Sequence, residues 1–457
     1  MKRSRPTAVV AAAVGAACAA LSLGGGGCTP DIPRDPVPQA MEFDPEAMPP
    51  RVPQPTGLII NRQTGRIDLS LAGTPVPADC ATLLAGEIAE CEFNQYLQSL
   101  DGFPTVTPAS APATAALDLA TLTAGTNVVV TAAKGAGAGA GVDVEVAVGF
   151  DTAGRQVTVR PRSSWDVGET YWLGVRGYGA GVRTADGGRV VGSATQYLLK
   201  QETPLTCGAA NPSALDPACP AFALLSQTRP ADEAAASLFQ LEGIRLAYIA
   251  GGGWDLMAAA GLPKEEVAVL WGFPIHSASV AELDPTAGLV PKATAVDEIR
   301  IAVNGTVASA TVTPFIPAVQ FGTVVFMDLT AAQGGNLVTG FPAFDVTVAA
   351  GEIVIKGRAP FVAGHQYGVF MLNGIHDAAG APLVPSPVSV LLRLRGALVD
   401  KDAHSTIPTV SDGDAAMLEA GRLQLATLFD TPTFASLTRV MREQLVYCFA
   451  FPFGVAP

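Results

Sequence analysis

The sequence predicts a mainly β protein: two tandem β-sandwiches, joined and followed by short helical connectors. Three observations carry that expectation. Short runs that alternate apolar and polar residues recur between Gly- and Asp-rich turns, the pattern of half-buried strands. A helical stretch with an aromatic strand behind it, residues 241–274, returns in degenerate form at 418–452. Of 457 residues, 49% are hydrophobic and 15% charged, with 48 Gly and 36 Pro, which is turn-rich and globular rather than disordered. This length has room for two or three domains, each able to bury its own core.

The repeat sets the frame. Leu241-Glu242 is followed by Arg245-Leu246, and Leu418-Glu419 by Arg422-Leu423, an offset of 418 − 241 = 177. Trp271-Gly272-Phe273-Pro274 faces Phe449-Ala450-Phe451-Pro452 at 449 − 271 = 178, so a single inserted residue reconciles the copies. A third Gly-Phe-Pro stands at Gly102-Phe103-Pro104 without the helical part. Each module is expected to open at a Phe-Pro joint and to end in the helical piece leading to the next.

At the N-terminus, Lys2, Arg3 and Arg5 precede an Ala-rich apolar run over 7–23, and Gly24 to Gly27 lead to Cys28. This reads as an export signal over 1–27. Small residues before a cysteine resemble the lipobox of bacterial lipoproteins, with Gly25 where that box usually has Leu; the resemblance implies lipidation of Cys28 and a membrane partner through it. Residues 28–54 form a Pro-rich tether in semi-extended form. No other run approaches the roughly 20 apolar residues of a membrane helix. The net charge of −13, from 41 acids and 28 bases, argues against a nucleic-acid partner.

Export makes the cysteines readable. Cys80 with Cys91 and Cys207 with Cys219 are close in sequence and lie in loop-like stretches, so two local disulfides are the economical pairing. Each would contribute roughly 2 to 3 kcal/mol on the chain-entropy account. No Cys-x-x-Cys or nearby His suggests zinc, and no cofactor is expected. Cys448 aligns with Leu270 in the other copy and is expected to be a buried, inert thiol.

In chain order, residues 55–104 read as an N-terminal extension with a hairpin: Gly57 to Ile60 and Arg66 to Leu69 flank a turn at 61–65, and Glu92 to Leu100 suggests a short helix. The first sandwich is placed at 105–203. Its strands are Asn127 to Val130, an alternating run through Val142, Val144, Val146 and Val148, Val157-Thr158-Val159, and Tyr171 to Val175. The Gly-Ala stretch at 134–141 lacks phosphate-loop spacing and reads as a hairpin loop. A disulfide loop and helical connector follow at 204–274. Leu238, Leu241, Arg245 and Tyr248 share one helical face there, and Val267, Val269, Trp271 and Phe273 alternate as a strand expected to feed the next sandwich. The second sandwich, 275–400, repeats the plan: Tyr367 matches Tyr171 at 367 − 171 = 196. Residues 401–457 form a C-terminal helical connector and strand, with Leu418, Gly421, Leu425 and Leu428 on one face.

Phe43-Asp44-Pro45, the run over 53–58, Ser99-Leu100-Asp101-Gly102-Phe103, and the repeated turn, Tyr-containing strand, Asp and Gly resemble bacterial SbsA-type Ig-like domains. They are similar in particular to the N-terminal region of exported lipoproteins described as virulence-factor lipases, whose joints carry Thr where Pro104 and Pro274 stand here. The resemblance implies Ig-like sandwiches and a place in the cell envelope, as an outer-membrane lipoprotein. It does not extend to the enzyme: no serine has Gly at both −2 and +2, as a nucleophile elbow needs, and no stretch of about 250 residues remains for a hydrolase.

The remaining site candidates are few. His276, His365, His376 and His404 are the only histidines, and His376-Asp377 are too close along a turn to face each other as a catalytic pair. Asp151, Asp166, Asp186, Asp377, Asp400 and Asp402 do not form a calcium-loop pattern, so no metal is expected. Trp165, Tyr171, Trp172 and Tyr178 cluster around one strand and could stack on a sugar ring, although core packing is the commoner use. The expectation is therefore a non-enzymatic, lipid-anchored spacer or binding module with an envelope protein or glycan as partner. The alternatives are an accessory or truncated relative of exported lipases that positions a hydrolase or binds its substrate, and a carbohydrate-binding adhesin.

Overall fold

The computed structural model describes residues 38–453 apart from 48–49, 134–140, 144, 153–154, 163, 228, 282–291, 296, 334–339 and 431–439. The signal stretch, Cys28, the first part of the tether, Val144 and nearly all of the Gly-Ala stretch lie outside the described residues.

The elements run β1 Gln39–Met41, α1 Ile88–Gln98, β2 Ala109–Pro112, β3 Val128–Ala133, β4 Gly141–Asp143, β5 Val146–Asp151, β6 Gln156–Pro161, β7 Thr170–Arg176, β8 Val190–Gly192 and α2 Ala194–Leu199. Then come α3 Pro220–Leu225, α4 Ala231–Ala250, α5 Gly253–Ala259, β9 Val267–Pro274, β10 Val280–Ala281, β11 Lys292–Ala295, β12 Glu298–Asn304 and β13 Val324–Asp328. The chain continues with α6 Leu329–Gln333, β14 Phe344–Ala349, β15 Glu352–Gly357, β16 Gln366–Leu372, β17 Val384–Pro385, α7 Pro387–Arg393, α8 Asp412–Phe429 and β18 Leu445–Pro452.

The protein is sheet-rich, with several small sheets and helices packed among them. One sheet has the order β4-β3-β7-β9 and a second β2-β6-β5; later in the chain come β13-β16-β18 and β14-β15-β12-β10-β17, with β11 on β12. The later pair repeats the earlier one. β13, β15 and β16 start 196 residues after β3, β6 and β7 (324 − 128, 352 − 156, 366 − 170), and β18 starts 178 after β9 (445 − 267). Helices α2 and α7 begin alike: Ser193 accepts from the Gln196 N–H and Ser386 from the Ser389 N–H, each satisfying a donor that the first helical turn leaves open.

Local chemistry explains several elements. Ala350 and Gly351, with φ of 49° and 81°, form the two-residue turn joining β14 to β15; positive φ at both central positions matches the twist of the paired strands. Strand β6 buries alternate residues, Val157 and Val159, whereas β7 and β9 are buried on both faces. Helices α4 and α5 cover one of those faces, and Trp172 lies beneath them. A Cβ at Gly253 or Gly251 would stand 2.6 Å from its ring, so only glycine lets the turn between the helices sit that close.

Four expectations need correction. Strand β9 is hydrogen-bonded to β7 along Thr170↔Pro274 to Arg176↔Val267, so it completes the sheet before it rather than feeding the next. The run from Val142 to Val148 is divided: β4 pairs with β3, while β5 pairs with β6 in another sheet. The flanks of the turn at 61–65 are 3-10 turns, Gly57–Ile59 and Leu69–Ala72, joined by a single Ile60↔Ile67 bridge. Thr56 and Asp68 cap those turns through their side chains, which favours coiling over extension. On α8 the buried stripe is Ala415, Leu418, Arg422 and Leu425, so Arg422 takes the place assigned to Gly421.

Candidate functional site

The residues that mark the sequence repeat build the same device twice. Arg245 on α4 donates from Nη2 to Glu242 Oε1 at 2.7 Å and from Nε to Oε2 at 2.8 Å. Its Nη1 reaches the carbonyls of Gln201 and Glu202 just after α2, and the Leu205 N–H donates to Glu242 Oε2 at 2.9 Å. On α8, Arg422 makes the same two bonds to Glu419 at 2.7 and 2.8 Å, its Nη1 reaches Leu394 and Arg395 carbonyls after α7, and the Leu398 N–H donates to Glu419. The side chains are only 4% and 13% exposed in the first pair and 6% and 13% in the second, so each pair is shielded from solvent screening. Burial works against both carboxylates, yet the bonds from arginine and backbone outweigh it and hold Glu242 and Glu419 below the ordinary glutamate range. Each pair latches the long helix to the loop that follows the short one.

The aromatic cluster also repeats. Trp165, Tyr171 and Phe273 meet with ring centroids 4.6 to 6.4 Å apart; Phe361, Tyr367 and Phe451 stand at the corresponding places, with Tyr367 5.2 Å from Phe361 and 6.4 Å from Phe451. Tyr171 Oη accepts from the Asp166 N–H at 2.9 Å and Tyr367 Oη from the Val362 N–H at 2.8 Å, in both cases five residues upstream. Trp165, Tyr171 and Trp172 are 0%, 1% and 5% exposed, so they present no ring face to a ligand. Tyr171 and Trp172 point to opposite faces of β7, as neighbours on a strand must. Tyr178 is half-buried, with Lys200 Nζ 5.0 Å from its ring centroid.

The third Gly-Phe-Pro pairs with the second. The Phe103 N–H donates to the Pro274 carbonyl at 2.8 Å, the His276 N–H to the Phe103 carbonyl at 3.1 Å, and the Phe103 and Phe273 rings meet edge to face at 6.1 Å. A Cβ on Gly102 would lie 2.5 Å from the Ile275 carbonyl carbon, so glycine is required for this approach. His276 is fully buried here, and burial lowers its pKa more than the nearby Asp101 and the Ala278 backbone raise it.

The extension at 55–104 reaches the later pair of sheets. On α1, Tyr96 Oη donates to the Pro385 carbonyl at 2.8 Å, and Glu92 accepts from the Arg395 N–H at 2.9 Å. The Cys80–Cys91 disulfide fastens α1 to the turn before it, and Cys207–Cys219 closes the loop next to the first latch. Cys448 is buried, and burial pushes its thiol up to about 12. Between α1, α7 and the start of β18 lies a cavity of about 660 Å³ lined by charged and apolar residues, His376 among them.

The other histidines face acids. His365 Nδ1 lies 2.7 Å from Asp328 Oδ2, a half-buried pair that sequence spacing did not signal, and exposed His404 lies 3.1 Å from Asp412. Among the described residues, no three of His, Cys, Asp and Glu converge to hold a metal, and no helix is long and apolar enough to cross a membrane. Ile316, Val319 and Phe321 form an exposed apolar tip at 51%, 66% and 69%.

No family model matches this chain, and no curated protein matches it. Among solved structures, a crystal structure of the S-layer protein SbsC is 17% identical with a TM-score of 0.17, the match covering 41% of this chain and 20% of that one. The N-terminal part of the bacterial S-layer protein SbsC gives 17%, 0.17, 41% and 35%, and SbsC domains 1-6 give 15%, 0.16, 41% and 20%. The match thus spans a fifth to about a third of those chains. A likeness this faint assigns neither fold nor function.

Proposed function

We propose that this chain is a non-enzymatic, lipid-anchored protein of the cell envelope, held at the outer membrane through Cys28, whose two Ig-like sandwiches act as a spacer or binding module. The observation that carries the reading is the repeated latch: the same Glu–Arg pair, with the same backbone partners, fixes a helix beside each pair of sheets. Buried polar devices repeated in this way hold orientation, and a spacer needs orientation more than it needs a reactive group. The burial of Trp165, Tyr171 and Trp172 turns the proposal away from a glycan stacked on those rings and toward a protein or lipid surface met by the apolar tip.

The test is intact-mass analysis and membrane fractionation of the native protein beside Cys28→Ala, with an esterase assay on both. An acylated Cys28, membrane association lost in the variant and no turnover are expected. Unmodified Cys28 in a soluble fraction would remove the anchor, and reproducible turnover would remove the non-enzymatic reading.

A further inference from the structure

Comparing the two copies of the fold isolates one cation that differs in its surroundings. Lys200, at the end of α2, donates from Nζ to the carbonyl of Val267, the first residue of β9, at 2.5 Å. Arg393, at the end of α7, makes the equivalent bond from Nη1 to Leu445, the first residue of β18, at 2.6 Å. The flanking charges correspond too: Lys264 and Glu265 stand where Arg442 and Glu443 stand 178 residues later. In the first copy the Tyr178 ring covers the lysine. Its counterpart at 178 + 196 = 374 is Gly374, and α1 stands off on the other side, so the arginine faces the 660 Å³ cavity instead.

Nη1 of Arg393 also donates to the carbonyls of Arg442 and Glu443 at 3.0 and 3.1 Å, which occupies that nitrogen. Among the described residues, Nε and Nη2 have no acceptor and no carboxylate lies within salt-bridge distance, although the side chain is largely withdrawn from water. The other lining charges are already engaged: Glu92 and Glu443 both bind Arg395, and Arg442 binds Asp430. What remains is one planar edge with two parallel donors, on a cation that Glu92 and Glu443 attract only from beyond salt-bridge distance, in a cavity whose apolar lining includes Leu383, Pro385 and Val390.

We propose that this cavity binds a small organic carboxylate, with Arg393 Nε and Nη2 gripping its two oxygens and its apolar part against that lining. A paired edge of this kind matches a carboxylate fork to fork. Two glutamates at the rim disfavour a dianion such as phosphate. The site stands independently of the spacer reading: a spacer without a ligand, or a ligand site in a protein of another role, are both consistent with the fold.

Titration calorimetry with benzoate at fixed ionic strength, with inorganic phosphate as comparison, tests the proposal on the whole chain. Saturable benzoate binding is expected, weaker or absent for phosphate, and weakened about tenfold or more in Arg393→Lys. That variant installs the residue of the first copy, which there bonds the strand carbonyl, and removes the forked edge. A wild-type protein with no saturable benzoate binding, tighter binding of phosphate, or equal benzoate affinity in a folded variant overturns it. Crystals of the wild-type protein soaked in para-bromobenzoate give a reading that needs no variant: a bromine peak in the cavity supports the site, and a peak only elsewhere, or none, overturns it.

Discussion

Arg245 and Arg422 are each the cationic half of a buried pair, and removing one half leaves a carboxylate that burial penalises without its partner. Arg245→Ala or Arg422→Ala is therefore expected to lower unfolding stability by about 3 kcal/mol or more, read from urea denaturation. Replacing Glu242 and Arg245 together by Gln and Met should recover part of that loss, because no charge then stays buried; equal losses in the single and double variants would contradict the latch. His276 supplies a second expectation. Its folded pKa lies below the ordinary 6.5, so the unfolded chain takes up a proton first as pH falls. Its contribution is complete above 6.5 and is lost as pH falls from there toward the folded value. His276→Leu should flatten the decline in stability below pH 6.5 relative to the native chain, and an unchanged slope would show that the ring is not held neutral. At this scale the sequence displayed the Glu-x-x-Arg spacing, which is local to one helix turn. It could not display the carbonyl partners, which lie 27 to 44 residues away and use no side chain.

Strand β9 shows what a pattern discloses about an element and what it withholds. Alternating Val267, Val269, Trp271 and Phe273 announces a strand, since period two is a property of the backbone itself. The partner is set by packing beyond the pattern, and the hydrogen bonds to β7 assign β9 to the earlier sheet. Trp271 and Phe273 are both 0% exposed, so Trp271→Ala or Phe273→Ala is expected to cost roughly 3 to 5 kcal/mol, measured by chemical denaturation. A cost below about 1 kcal/mol at both would deny the strand its place in the core. The division between β4 and β5 escaped the same reading for the same reason: alternation along the sequence carries no mark of where the chain passes from one sheet to another. Helix α8 shows the converse error, where a polar residue, Arg422, occupies the buried stripe because its partner Glu419 is one turn away.

At the scale of the molecule, the two copies of the fold were legible because insertion and loss had not erased their offsets, while the way they hold each other was not. Residues 102–104 belong, by their position, to the chain before the first sheets, yet they pair alongside 274–276 where the chain enters the later ones. Helix α1 lies against α7 through Tyr96 and Glu92, across a sequence separation of 289 to 303 residues. Contacts of that range leave no periodic trace in a sequence, but they have a thermodynamic one. Sheets joined only by a linker would unfold independently; sheets sharing a buried strand edge and a docked helix lose both when either melts. Calorimetry is therefore expected to give one endotherm, with calorimetric and van't Hoff enthalpies in a ratio of about 1. Gly102→Val, whose side chain has no room beside the Ile275 backbone, should weaken the shared edge and split or broaden that transition. A native protein that already melts in two resolved steps, with Gly102→Val altering only one of them, would mean that the interlock contributes too little to couple the copies.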